Sequence, residues 1–213
     1  MAVAHSDLAR IRYDGERALV EQLANLDDAG LYLWFGLDYV PGVADIDLLL
    51  YHRERGAFVV EVKAVELYQI REYGLLSWEL LGARHDVPPK MQARTAMLSL
   101  LTYLRSHRIK APWLTPTVCW PRISRAAWRD VWDDPVIGVE LAEGMLFLED
   151  IADPAALSTR LAQVALTPPI GRGTTARQVH VDEYAAGFDA VFARAAARRV
   201  TRVDAERLEP LTG

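Results

Sequence analysis

Three residues carry the chemistry this chain could do: Asp47, Glu61 and Lys63. Two carboxylates and an ammonium stand in strands otherwise built from Val, Leu, Ile and Phe. Asp45-Ile-Asp-Leu-Leu-Leu-Tyr51 alternates, with Ile46, Leu48 and Leu50 on one side and Asp45, Asp47 and Leu49 on the other. Ala57–Val65 alternates too, with Phe58, Val60 and Val62 opposed to Val59, Glu61, Lys63 and Val65. His52-Arg-Glu-Arg-Gly56 joins the two runs, and Gly56 can take the positive φ of a tight turn. Paired as a hairpin, they set Asp47 across from Glu61, within one residue of register.

Such a placement needs a physical reason. A buried carboxylate without a partner costs several kcal/mol, and a second one beside it adds repulsion. A divalent cation removes both penalties, and Mg²⁺ characteristically takes one or two carboxylates together with water and phosphate oxygens. Lys63 would then set positive charge beside the attacking water or the phosphate. Only three of the chain's 24 basic residues are lysines, Lys63, Lys90 and Lys110. A compact ammonium in an arginine-writing chain is a choice. The bland alternative is a structural ion pair on a partly solvated sheet face.

The elements that must position these groups follow in order. Residues 6–28 read as a helix, capped by Ser6 or Asp7, with Leu19, Leu23 and Leu26 as its apolar stripe. Gly15 either breaks it or allows close packing. Glu16 shares the stripe: either it is a charge at the stripe's edge, or a third acid aimed at the sheet. Residues 31–36 form a strand, and residues 66–82 a second short hairpin around Tyr73-Gly74. Pro88-Pro89 open a helix to residue 107, with Met97, Leu100, Leu101 and Leu104 over Ala93 and Ala96. Gln92 lies in its first turns. A strand at 115–120, a short helix at 123–132, a strand at 145–148 and a helix from Asp153-Pro154 to Leu166 follow. The prolines and glycines of 167–175 mark a boundary. A helix at 182–199 runs into Arg194, Arg198, Arg199 and Arg202, which read as a solvated end or a DNA-contacting face.

The 213 residues form one domain of ordinary size, or one with a C-terminal extension. The single cysteine, Cys119, excludes an internal disulfide and a cysteine zinc cluster. No signal peptide and no membrane span is read, so a cytoplasmic protein is the expectation. A net charge of −5 speaks against a passive nucleic-acid binder but suits an enzyme whose cation supplies the attraction. His5, His52, His85, His107 and His180 show no metal-ligand spacing. Trp128 and Trp132, four apart, read as core or interface.

At Glu16, Ile46-Asp47, Glu61-Val62-Lys63 and Pro89-Lys90-Met91-Gln92 the chain resembles the nuclease-related domain of the PD-(D/E)XK nuclease superfamily. Gly56 with Phe-Val-Val before Glu61, Trp78 ahead of the Pro-x-x-Gln helix, and Cys119-Trp120-Pro121 extend the likeness. It covers roughly residues 12–130. It implies an α/β, restriction-endonuclease-like fold, a mixed sheet flanked by helices, and Mg²⁺- or Mn²⁺-dependent hydrolysis of phosphodiesters, most often in DNA. By position it makes Asp47 and Glu61 metal ligands, with the carbonyl of Val62 as a further one. Lys63 positions or polarises the attacking water, Glu16 completes the acidic site, and Gln92 borders it. Residues 1–166 would be the nuclease core and 167–213 a C-terminal loop and helix leading towards a further domain.

The chain departs from the family pattern at Asp45, where Glu is common, and at Ala64-Val65-Glu66, where a polar residue and glycine are usual. The expected partner is DNA, with a homodimer or a fused or associated helicase-like module compatible with the family. Two functional classes stand: a DNA endonuclease serving repair or defence against foreign DNA, and a nuclease-fold module for binding or assembly.

Overall fold

The computed structural model describes residues 3–4, 11, 13–38, 40–74, 78–81, 83–85, 87–109, 113–132, 142–165, 184–193 and 195. Its centre is β4 (Gly56–Val62), a strand whose apolar run is covered on both faces, as a central strand's must be. β3 (Leu48–His52) pairs with it antiparallel, Leu48 opposite Val60 and His52 opposite Gly56. The turn falls where the glycine allows it: Gly56 has φ +92°. On the outer side of β3 lies β2 (Leu31–Phe35), then the two-residue β1 (Val3–Ala4). On the other side of β4, β8 (Leu114–Trp120) and β9 (Met145–Phe147) run parallel to it. The sheet order is β1-β2-β3-β4-β8-β9, a mixed sheet.

Alternation along the strands feeds two cores. Leu48, Leu50, Phe58, Val60 and Val62 face α1 (Asp14–Ala24) and α4 (Pro154–Ala165), through Leu19, Val20, Leu23, Leu157 and Leu161. Leu49, Tyr51, Ala57 and Val59 face α2 (Pro89–Ser106), through Ala96, Leu100 and Leu104. Leu100 and Leu104 are fully buried, and truncating either to Ala costs roughly 2–5 kcal/mol. A helix over residues 184–193 joins this second core, with Phe188 5.3 Å from the Trp34 ring and Asp189 Oδ1 accepting from Trp34 Nε1 at 2.8 Å. The layered α/β architecture is the restriction-endonuclease-like arrangement expected. Among the described residues no helix is long and apolar enough to cross a membrane.

Three expectations change. The first helix begins at Asp14, not residue 6, with Tyr13 as its N-cap, while Ser6 and Asp7 lie outside the described residues. Gly15 sits inside it, and a Cβ there would stand 2.1 Å from Ala64 Cβ, so close packing is its role. The second hairpin is a three-stranded sheet, β5 (Ile70–Tyr73), β6 (Trp78–Leu80) and β7 (Ala83–His85), inserted between β4 and α2. Ile46 does not share a side with Leu48 and Leu50. It packs with Leu49 and Tyr51 on the α2 side, because regular alternation starts only at Leu48. The basic cluster of Arg194, Arg198, Arg199 and Arg202 lies outside the described residues.

The small sheet closes the end of the large one. Ile70, Tyr73 and Trp78 pack on Val118, Trp120, Met145 and Phe147, with Trp128 of α3 (Arg125–Trp132) beneath. Trp128 is fully buried, a core residue as its spacing suggested. Below it, Asp150 gathers charge into a closed cluster. It accepts from Phe147 N–H at 2.8 Å and from an Arg125 guanidinium nitrogen, with Arg160 Nε 3.8 Å away. Arg160 itself donates to the carbonyls of Met145 (2.9 Å) and Ala142 (3.0 Å). This cluster fastens β9 to α3 and α4.

Candidate active site

The site is built at the C-terminal end of β4. Glu61 keeps the parity of Val59 and Ala57 and therefore faces the α2 side. Asp47 comes one residue before β3 and continues its register, across from Glu61, since Leu48 is paired with Val60. Past that last ladder pair the N–H of Val62 has no strand to bond, and Asp47 Oδ2 accepts it at 2.8 Å. Asp47 thus extends the sheet with its side chain while presenting its carboxylate to Glu61. Lys63 follows β4, its N–H held by Cys119 O at 2.9 Å. Its Nζ donates to Glu61 Oε1 at 2.5 Å. The side chains of Lys63 and Glu61 are 19 % and 12 % exposed, so the pair is largely desolvated yet reachable from solvent.

The electrostatics are those of a strained acidic pair. Burial pushes the Glu61 carboxyl up to about 7, the Asp47 charge adds to this, and Lys63 opposes it. Burial also raises Asp47, against the pull of the Val62 N–H and of Lys63. Asp45, exposed just ahead, raises both further. One ammonium does not balance this set, and a cation would relieve it.

The remaining expected site residues arrive by topology. α2 links the parallel strands β4 and β8, so it runs back against them and starts near the C-terminal end of β4. Gln92, in its first turn, stands at that end on the sheet face Glu61 occupies. Its Oε1 is buried and has no hydrogen-bond partner among the described residues. A buried carbonyl left this way costs about 1–3 kcal/mol unless something else engages it. Glu16 lies in the first turn of α1, half-buried, one residue after the glycine pressed against Ala64. It therefore stands at the same end of β4, on the helix that covers the other face of the sheet.

Among the described residues no three His, Cys, Asp or Glu side chains form a group that could hold a metal ion. The hard donors at this end of β4 are the two carboxylates, with the orphaned Gln92 carbonyl oxygen in the first turn of α2. That set fits a Mg²⁺ or Mn²⁺ ion that keeps water and substrate oxygens in its shell, and does not fit a zinc cage.

Two neighbours of this site were not singled out as functional from sequence. Asp45 was read as sharing the Asp47 side and as a departure from the family pattern, without a role of its own. Trp78 appeared only as part of a resemblance, yet its ring lies under Lys63, with Nζ 5.6 Å from the centroid. Nothing in its strand's alternation distinguishes it from a core residue. Of the histidines with described side chains, His52 is buried at the far end of the hairpin, its Nε2 3.2 Å from Asp28 Oδ2, and His107 follows the C-terminal end of α2.

Residues 11–121, just over half of the 213, match the nuclease-related domain family. The chain belongs to that family. The match spans β2, the hairpin, the small sheet, α2 and β8, and so contains every residue of the site described above. No curated protein and no solved structure matches this chain. A nuclease-related function follows from the family.

Proposed function

We propose that this protein is a divalent-metal-dependent nuclease that hydrolyses phosphodiester bonds in DNA. The observation that carries the reading is the desolvated pair Asp47 and Glu61 with Lys63 bonded to it, at the C-terminal end of the central strand. Asp47 and Glu61 would hold Mg²⁺ or Mn²⁺, with the Val62 carbonyl as a further ligand. When bound, the ion supplies acidity to water and positive charge to the phosphate oxygens. Lys63 holds its ammonium fixed beside Glu61, where negative charge develops as water adds to phosphorus; preorganised donors of this kind are worth on the order of 3 kcal/mol. Gln92 offers Oε1 to water or substrate at the edge. Glu16 adds a third acid from α1. The small exposure of Lys63 and Glu61 keeps bulk water from screening these charges.

DNA is the proposed partner and the cytoplasm the proposed place of action, in repair or in defence against foreign DNA. The other reading, a binding or assembly module without catalysis, draws on the net charge of −5, which gives no overall attraction to DNA. Supercoiled plasmid incubated with the protein and Mn²⁺, beside the Asp47→Ala variant, separates the two. Nicking or linearisation by the wild type alone is expected. Intact plasmid with both proteins, across Mg²⁺ and Mn²⁺, leaves the binding module as the better account.

A further inference from the structure

We propose that Trp78 is a positioning residue for Lys63, and that the inserted sheet β5-β6-β7 serves the site by presenting that ring. The proposal rests on the nuclease reading, in which Lys63 places charge beside the reacting phosphate.

Lys63 stands one residue past the end of β4, so the strand ladder fixes its backbone but not its four-carbon stem. A lysine side chain left free spreads over many rotamers. Here two contacts confine it. Glu61 Oε1 takes the ammonium on one side, and the Trp78 ring lies 5.6 Å from Nζ on another. An ammonium within about 6 Å of an indole face is attracted by the ring quadrupole, and Trp is the strongest such ring. The ring cannot drift. Trp78 is 2 % exposed, paired opposite His85 in β6–β7 and opposite Tyr73 in β5–β6. It meets the Trp120 ring edge-on, with centroids 6.3 Å apart and planes at 72°. Trp120 belongs to β8, the strand beside β4. A chain of rigid rings thus runs from the core to the ammonium.

A carboxylate alone would hold Lys63 poorly. The Glu61 carboxylate is also the group that must serve a cation, and when it does, an ammonium tied only to it loses its anchor. The indole face is neutral and does not compete for the cation. It keeps Lys63 in place while Glu61 turns to its second duty. A purely packing role for Trp78 would not require the ammonium over its ring.

Three lysines make the contact directly observable. With ε-¹³C-lysine incorporated, the ε-methylene signals are few, and Lys63→Arg assigns the one of interest. Ring current should place the Lys63 ε-methylene protons upfield of those of Lys90 and Lys110. Trp78→Leu should return them to the position of the other two, while Trp78→Phe should leave them part of the way upfield. In plasmid cleavage with Mn²⁺, Trp78→Leu should lower kcat on the order of 10- to 100-fold with KM unchanged, the scale of a misplaced catalytic group. Trp78→Phe should recover much of that loss. Melting temperature is read on each variant. If Trp78→Leu does not fold, Trp78→Phe decides, through a partial shift of the signal and a partial fall in kcat. A Lys63 signal not shifted upfield in the wild type, or a folded Trp78 variant with wild-type kcat, overturns the proposal. A wild type that does not cleave at all sinks the nuclease reading instead, and then the positioning role falls with it.

Discussion

Two buried charge clusters sit within this fold, and they are built on opposite plans. Around Asp150, two guanidiniums meet two carboxylates: Arg125 and Arg160 against Asp150 and Glu149. The spare donors go to backbone, Arg160 to the carbonyls of Met145 and Ala142, and Glu149 Oε1 accepts from Arg125 N–H at 2.9 Å. Around Glu61, three carboxylates share one ammonium, and burial drives Glu61 and Asp47 away from their ordinary ionisation. Charge buried for structure comes with its complement. Charge buried for chemistry leaves a deficit that something else must fill.

The strongest way to break this comparison is to neutralise the deficit. Asp47→Asn and Glu61→Gln should each lower plasmid cleavage roughly 10³-fold, the several kcal/mol a lost metal ligand costs at the transition state. Neither should lower the melting temperature. Asparagine still offers Val62 N–H an acceptor, and either change removes a repulsion that the fold otherwise carries. Wild-type cleavage by either variant would mean that these carboxylates only hold the hairpin together.

The mirror experiment is Asp150→Ala. It strands two guanidiniums and the Phe147 N–H, and breaking a buried pair in this way costs about 3–5 kcal/mol. At 2–4 °C per kcal/mol for a chain of this size, the melting temperature should drop by roughly 6 to 20 °C. Cleavage by the protein that stays folded at low temperature should change little. If Asp150→Ala melts like the wild type while Asp47→Asn collapses, the two clusters have been assigned the wrong way round.

Cation binding separates them further. A ligand that binds only the folded state stabilises it by about 2.7 kcal/mol at a hundredfold excess over Kd. Mn²⁺ in the millimolar range should therefore raise the melting temperature of the wild type by several degrees. The same addition should leave Asp47→Asn unmoved. Equal shifts in the two proteins would place the ion elsewhere. Glu16 is a finer probe of the same site. Glu16→Gln should reduce cleavage about tenfold, the scale of an outer-sphere group, with the fold intact. An unreduced rate would make Glu16 a packing residue of α1.

Much of this was legible from residue order. The hairpin, its register and its glycine turn follow from alternation between Leu48 and Val62, where both faces of the strand are specified. The opposition of Asp47 and Glu61 came with that register. Ile46 escaped the pattern because the ladder ends at Leu48, and Val62 bonds a side chain there instead of a strand. The first helix was read too long because the apolar stripe fixes its face and not its ends. The third strand of the small sheet, Ala83–His85, is too short for alternation to register. The partnership of Lys63 and Trp78, and that of Arg125 and Arg160 with Asp150, joins residues of different elements; only packing reveals such pairs.

The smallest expected effect is on how stability follows pH. Between the ordinary carboxylate value of 4.5 and about 7, the folded protein keeps a proton on Glu61 that the unfolded chain has already lost. Where the folded state binds more protons, stability falls as pH rises. Without added cation, the contribution of Glu61 is therefore most favourable in acid and is lost as pH climbs through about 7. Glu61→Gln carries no such proton, so its melting temperature should decline less over that window. Mn²⁺ should act in the opposite sense, because the cation and the proton compete for one carboxylate and the ion wins as pH rises. The Mn²⁺-induced shift in melting temperature should then be larger at pH 7.5 than at pH 5.5. Parallel pH curves for the wild type and Glu61→Gln would show that Glu61 ionises like a surface carboxylate, and the desolvated pair would no longer explain why a cation belongs at this end of β4.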